Sequence, residues 1–389
     1  MLIATKSRII LAGNYLANNM FNHKHYVPIL RWRAAEKGAL LKLKDEHKSL
    51  VTPLIEFIMP QPNSDGEKTP KELLQESIEK FSENIPGIAD QVVKYWGRNT
   101  VFVDVQLIDG SIRAETLKKI LEHGKQLDIF MIPVITIIPV VGFESDSQTR
   151  RVALEFIKQS GHGLCLRITD SNFKEKTLSG DIENFLRENG IDTKDIDMLI
   201  DFKVVNEQTL VDSLVEKINV IPNLEGWRTF IVAGGAFPQD LSHLEKHNQY
   251  DIPRSDWAIW KNLTGKLKRQ PSFADYTVQY PIYLQQTSAS NPSASIRYSL
   301  EEKWVIVRGE GLRNPKGAGF KQYPAQAQIL ANQKNVFKGK NFSAGDAYIA
   351  EKAKDINTKK TGNPKTWLEA GINHHVSLVA DQISSLREK

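Results

Sequence analysis

The chain has 389 residues, 41% of them hydrophobic and 25% charged, with 51 basic and 46 acidic side chains leaving a formal net charge of +5. That composition excludes bulk disorder and a coiled coil, and so small a positive excess does not by itself announce a nucleic-acid or membrane-surface protein. The single cysteine, Cys165, excludes an intrachain disulfide and a thiolate metal cluster, which fits a reducing cytoplasm.

Residues 1–25 read as an N-terminal extension. The stretch 6–16 has a basic start, but its apolar core is only about five residues long, too short for a secretory leader. From Tyr26 onward, short β-rich runs alternate with longer helix-like segments. Strands are expected at 26–32, 51–59, 100–107, 129–137, 163–169, 197–203, 228–233 and 256–261. Helices are expected at 34–47, 70–81, 112–123, 150–159, 182–189, 206–218 and 239–247. Eight strands separated by helices predict an α/β fold, a (β/α)8 TIM-like barrel. Runs such as 51–55 and 130–135 are nearly continuous in apolar residues, as strands covered on both faces should be. An open doubly wound sheet accepts the same alternation, but no GxGxxG turn follows the first strand. The longest apolar run, 129–141, is interrupted by Pro133, Thr136 and Pro139 and falls short of the ~20 residues of a membrane span, so no membrane partner is expected.

After Lys261 the pattern changes. Pro271, Pro281 and Pro292 punctuate it, a serine-rich tract covers 287–295, β-like runs follow at 294–298 and 304–308, and helical segments at 324–331 and 376–386. A boundary near Leu263 divides a barrel, 26–263, from an integrated C-terminal α+β region, 264–389, packed on it.

In a parallel barrel the C-terminal strand ends converge on one face, where barrel enzymes carry their sites. That rule selects Arg31 or Arg33, Glu56, Asp104 and Gln106, Arg167, Asp201 and Lys203, and Lys261 from the eighth strand. Carboxylates interleaved with cations suit a phosphate-bearing ligand. Glu56, Asp104 and Asp201 would hold a magnesium ion or serve as base, while Arg31, Arg167 and Lys203 would neutralise phosphate. The plainer reading is a satisfied ion-pair network capping the barrel.

The strings Tyr26-Val-Pro-Ile-Leu-Arg-Trp-Arg33, Thr52-Pro-Leu-Ile-Glu56, Phe273-Ala-Asp-Tyr276, Ile296-Arg-Tyr298, Phe342-Ser-Ala-Gly-Asp-Ala-Tyr-Ile349, Gly362-Asn-Pro-Lys-Thr-Trp367 and Gly371-Ile-Asn-His-His375 give the chain its family likeness. In this order and spacing it resembles the beta protein family, named for a protein of T-even phage and widespread in bacteria. The matches run from Tyr26 to about Gln382, nearly the whole chain. The resemblance implies little chemistry but suggests a setting of phage conflict or anti-phage defence.

Because the likeness includes the adjacent pair His374 and His375, one of them, with Asn373, is expected to reach the barrel mouth as general acid or ligand. They cannot both face one small site, since neighbours on a helix diverge by about 100°. Asp275 and Asp346, each beside small residues and an aromatic, are candidate ligand contacts or turn caps. Other features point to structure. Cys165 reads as core, and His243 and His247 lack the His-Glu-x-x-His order of a metalloprotease. The glycine-rich 309–319 lacks a phosphate-loop ending. The run 261–269, with Lys261, Lys266, Lys268 and Arg269, is the best basic patch for nucleic acid.

The leading expectation is a barrel hydrolase acting on a nucleotide or nucleic acid, with a magnesium ion as the cofactor such chemistry would use. The alternatives are a non-catalytic binding or sensor module for a phage protein or nucleic acid, read by the C-terminal region, and a subunit of a defence complex.

Overall fold

The computed structural model describes residues 21–60, 68–126, 134–284 and 291–386. Eight parallel strands close a barrel in the order β1 (Tyr26–Arg31), β2 (Leu54–Glu56), β3 (Val101–Asp104), β4 (Ile137–Val141), β5 (Leu164–Thr169), β6 (Ile196–Val204), β7 (Thr229–Gly235) and β9 (Ser272–Asp275), with β9 returning to β1. The expected TIM-like barrel is present. Around it run α1 (Ala34–Leu41), α2 (Asp45–Lys48), α3 (Pro70–Trp96), α4 (Gly110–Gly124), α5 (Ser147–Ser160), α6 (Leu178–Asn189), α7 (Val211–Asn219) and α8 (Ser255–Thr264). Helix α3 starts on a full capping box, Thr69 with Glu72, and Pro70 at its first position. No helix among the described residues is long and apolar enough to cross a membrane.

Period-two alternation fills the barrel interior. Val27 and Ile29, Leu54, Phe102, Ile138 and Val140, Cys165, Leu199, Ile231 and Ala233, and Ala274 form one buried cluster, which includes Cys165 as a core residue. The opposite face of each strand packs on the helices in a second, larger cluster. One step further along the same inward rows, at the C-terminal ends, the residues become charged.

Two expected elements are wrong, and together they move the barrel's closure. Residues 256–261 are not the eighth strand. Trp257, Trp260, Leu263 and Leu267 recur at helical spacing and are buried, so the segment forms α8, and both tryptophans pack on Phe273. The closing strand is instead β9, beyond the Leu263 boundary. Residues 239–247 are not a helix either: Asp240 accepts from the Ser242 amide at 2.7 Å in a local turn, and His247 has φ +61°. His243 and His247 therefore do not share a helix face. Of the expected strand 129–137, residues 129–133 lie outside the described residues, and β4 begins only at Ile137.

The remaining strands make a three-stranded antiparallel sheet in the order β10 (Ser293–Ser299), β11 (Lys303–Gly311), β8 (Gln249–Pro253). Its β8 comes from the segment between β7 and α8, so barrel and C-terminal region interleave. One face of this sheet, with Ala294, Ile296, Tyr298, Val305 and Val307, packs against α9 (Gln322–Ala331), α10 (Ala344–Lys352) and Trp367 of α11 (Pro364–Ser384).

Helix α11 lies between α1 and β10 and is buried on nearly all sides. Its approach to α10 depends on a missing side chain. A methyl group on Gly345 would stand 2.2 Å from the Ala370 carbonyl oxygen, and the Gly345 amide donates to Asn373 Oδ1 at 2.9 Å. Gly345→Ala is therefore expected to destabilise the chain by about 1–3 kcal/mol through overpacking, measured by urea unfolding.

A candidate site at the barrel mouth

Successive strands place their terminal inward side chains at one level. Register pairs Arg31 with Glu56 and Glu56 with Asp104, and sets Asp201 beside Thr169, two residues past the inward Arg167. Tyr276 follows directly on β9. These groups meet around one guanidinium. Arg167 Nη1 donates to Asp104 Oδ2 at 2.5 Å, Nε to Asp201 Oδ2 at 3.0 Å, and Nη2 to Asp201 Oδ2 at 2.6 Å, Glu56 Oε1 at 2.9 Å and the Tyr276 oxygen at 2.8 Å. Tyr276 donates to Asp201 Oδ2 at 2.6 Å and accepts from Lys203 Nζ at 2.8 Å. Lys203 also lies 3.1 Å from Asp201 and 3.7 Å from Glu56.

Charge balances within this group: three carboxylates face Arg31, Arg167 and Lys203. Burial alone would raise the carboxyl pKa of Glu56 and of Asp201, but Lys203 and Arg167, with Arg31 for Glu56 and hydrogen bonds for Asp201, override it and hold both below their ordinary values. Burial and the Arg167 charge would lower the Lys203 ammonium, yet Asp201, Tyr276 and Glu56 raise it. The Tyr276 hydroxyl is pushed up by burial and by Asp201. All these shifts lock the groups in their charged or neutral forms and leave none poised near neutrality.

Two departures from full satisfaction remain. Glu56 Oε2 and Arg31 Nε face each other at 3.9 Å, and neither makes a hydrogen bond. Arg31 is anchored instead by Nη2 to the carbonyls of Tyr280 and Pro281. Lys203, at the end of the ladder, has φ +56°, a left-handed conformation that costs a non-glycine residue of order 1–3 kcal/mol. Beside the network opens a cavity of about 240 Å³, lined by Glu56, Asp104, Gln106, Glu144, Ser145, Arg167, Thr169 and Lys203 over an apolar floor of Leu107, Val140 and Val141.

The structure thus gathers Arg31, Glu56, Asp104, Gln106, Arg167, Asp201 and Lys203 and separates the other expected site residues from them. Arg33 caps the start of α1 and lies 5.3 Å from the Tyr283 ring, outside the network. His374, His375, Asn373, Asp275 and Asp346 do not reach the mouth: they are fully buried in the seam between barrel, sheet and α11. His375 bonds Asp275 Oδ2 at 2.8 Å and Ser299 Oγ at 2.7 Å, and Tyr26 donates to Asp275 Oδ1 at 2.5 Å. His374 bonds Asp346 Oδ2 and the Ser299 carbonyl, both at 2.8 Å, and stacks on Tyr298. Asn373 ties α11 to α1 through the Ala39 carbonyl. Asp275 points outward from β9, the opposite direction to Tyr276, because neighbours on a strand alternate.

The magnesium expectation does not fit either. The carboxylates converge, but the Arg167 guanidinium stands between them, and among the described residues no group of three or more His, Cys, Asp or Glu side chains could hold a metal ion. The basic run at 261–269 is largely engaged: Lys261 sits on α8 and pairs with Glu302 at 2.7 Å, Lys266 pairs with Asp212, and Arg269 donates to the Leu224 and Trp227 carbonyls.

Tyr276, Glu144, Ser145 and Thr169 are mouth residues that the strand-end rule missed. Tyr276 became findable only once the closing strand was placed at 272–275. Glu144 lies three residues past β4 in a loop, where it accepts from Thr169, Ser171 and Asn172.

An eight-stranded parallel barrel with an arginine-centred ion network at its mouth, and a C-terminal sheet and helices built onto it, defines the class. Within that class the match is specific: the Beta protein family model covers residues 26–381, and the chain belongs to that family. No curated protein matches it.

Removing Arg167 would leave three buried carboxylates facing each other. Arg167→Met is expected to lower stability near neutral pH by about 3–5 kcal/mol. The sign with pH follows from the depressed Glu56 and Asp201: their contribution is complete above the unfolded carboxylate value of about 4 and is lost as pH falls toward their folded values. Denaturant unfolding between about pH 7 and 3 should show that acid-side loss in the wild type and a shallower one in the variant.

Proposed function

We propose that the chain is a binding module whose barrel mouth receives one phosphate-bearing group of a nucleotide or nucleic acid, in the setting of phage conflict that the family likeness suggests. The observation carrying this reading is the division of labour at the mouth. The Arg167 donors are spent on Glu56, Asp104, Asp201 and Tyr276, and the Thr169 hydroxyl donates to Glu144, while the partly exposed Lys203 ammonium, bonded to Tyr276 and close to Asp201, the Gln106 amide and the Ser145 hydroxyl line the cavity. Donors of this kind suit an oxygen-rich anion. At about 240 Å³ the space lies below the ~300–1,000 Å³ of whole-ligand pockets, so it takes a group and not an entire nucleotide.

A second reading, hydrolysis of the bound phosphoester, is favoured by one observation. Glu56 Oε2 is a buried carboxylate oxygen that makes no hydrogen bond, although it faces Arg31 Nε at 3.9 Å, and the side chain lines the cavity, where it would act as the base toward water. In it Lys203 would balance the phosphate charge and Tyr276 would be the nearest hydroxyl donor.

Adenosine monophosphate titrated into the purified chain should bind saturably, and Lys203→Gln should weaken it by about tenfold or more, the loss of one charge-assisted contact. Unchanged affinity in Lys203→Gln would remove the mouth assignment. Incubation with a phosphodiester such as bis(p-nitrophenyl) phosphate separates the two readings: no turnover supports binding alone, whereas turnover abolished by Glu56→Gln in a folded variant establishes the hydrolase.

A further inference from the structure

A cavity larger than the mouth's lies away from it. A cleft of about 720 Å³ opens between β10, β11 and the 239–246 loop, and Lys246, Arg297, Arg308 and Arg313 line it against one acidic side chain, Asp240. Its size is that of a whole small-molecule site.

Two of these cations are built into the sheet. Arg308 on β11 stands opposite Ser295 on β10, and Arg297, two residues on, stands opposite Ile306. Both arginines are therefore on one face of the sheet as diagonal neighbours, roughly 7–8 Å apart at their bases. Arg308 is only 8% exposed, and its Nε and Nη1 are buried with no hydrogen-bond partner. A guanidinium normally fills its five donors, and Nε and Nη1 carry three of them; leaving such donors empty in a buried site costs of order 1–3 kcal/mol or more. Arg297 donates Nη1 to the Val278 carbonyl at 2.7 Å and lies 4.7 Å from the Phe237 ring. Burial pushes its pKa down to about 10 with no carboxylate to offset it.

Asp240 does not neutralise the pair. Its Oδ1 is taken by the Ser242 amide and hydroxyl, although the Arg308 charge is close enough to help lower its pKa. The cleft thus differs in kind from the mouth. There each guanidinium nitrogen of Arg167 has a carboxylate or hydroxyl partner, whereas here Nε and Nη1 of Arg308 have none.

We propose that this cleft is a second binding site, for a nucleotide-sized ligand carrying adjacent phosphate groups, held by Arg308 and Arg297. Arg308 and Arg297 both line the cleft, and planar guanidinium groups suit the oxygens of a di- or triphosphate. Lys246 and Arg313 add charge at the rim. The rest of the volume accommodates the organic part of the ligand.

Calorimetric titration of the full chain with pyrophosphate and with ATP tests this. Saturable binding of either is expected, weakened by about tenfold or more in Arg308→Met, with the unfolding temperature of the free variant unchanged or raised because an uncompensated buried cation has gone. Asp240→Asn should tighten binding and Lys246→Glu should weaken it, both at exposed positions that leave folding intact, so the test stands even if Arg308→Met does not fold. In a Lys203→Gln background, which weakens the mouth's own phosphate contact, the Arg308-dependent binding should persist. A short oligonucleotide with a 5′-triphosphate separates the two sources of the same chemistry: binding as tight as ATP points to a nucleic-acid end, and binding of ATP alone to a free nucleotide. Absence of saturable binding by pyrophosphate and ATP, or wild-type affinity in Arg308→Met and in both exposed variants, overturns the proposal.

Discussion

One guanidinium holds the barrel's working end together. Three strands deliver carboxylates to the same level, and buried carboxylates at such a distance would repel one another and drive proton uptake if nothing stood between them. Arg167 reaches from β5 to β2, β3 and β6 and also donates to Tyr276, just past the end of β9. Lys203 closes the same circle from β6. The charges at the mouth, the depressed carboxyl pKa values of Glu56 and Asp201 and the limited cavity beside them all follow from that placement. Such a network is weak evidence of stability in itself, because desolvation opposes the attraction. Its role lies in positioning: it fixes the rim from which Gln106, Ser145, Thr169 and Lys203 face the cavity.

A second polar system, at the seam, has the opposite character. His374 and His375 leave α11 in diverging directions, and each finds a carboxylate from a different part of the chain, Asp346 on α10 and Asp275 on β9. Ser299 serves both, its hydroxyl facing one ring and its carbonyl the other. The adjacent histidines therefore join three layers, helix, sheet and barrel, in a place buried from solvent. Composition that looks catalytic in the sequence is here a buried fastening, and the feature that separates the two cases is the direction a strand residue faces.

Much of the barrel was legible because fully covered strands leave long apolar runs and because helices such as α3 announce their starts with caps. The strand-end rule then found most of the mouth: Arg31, Glu56, Asp104, Arg167, Asp201 and Lys203 all converge. What failed did so for local reasons. The segment 256–261 is rich in tryptophan and isoleucine, which a strand and a buried helix face both favour, and only the spacing out to Leu263 and Leu267 distinguishes them. The true closing strand, Ser-Phe-Ala-Asp, is short and half polar and carries no such signal. The cleft around Arg308 was not foreseen at all, since its arginines become neighbours only through the antiparallel pairing of β10 with β11.

The crossing of β8 into the C-terminal sheet has a consequence for the order in which this chain can assemble. During synthesis the barrel's last stave leaves the ribosome before the residues that must clasp β8, which belong to β11 at 303–307. Until those arrive, the 236–254 excursion has lost its anchor on one side, and α8 must dock while tethered to an unpaired edge. Cutting the chain at the compositional break would part β9 from β1 and β7, and β11 from β8.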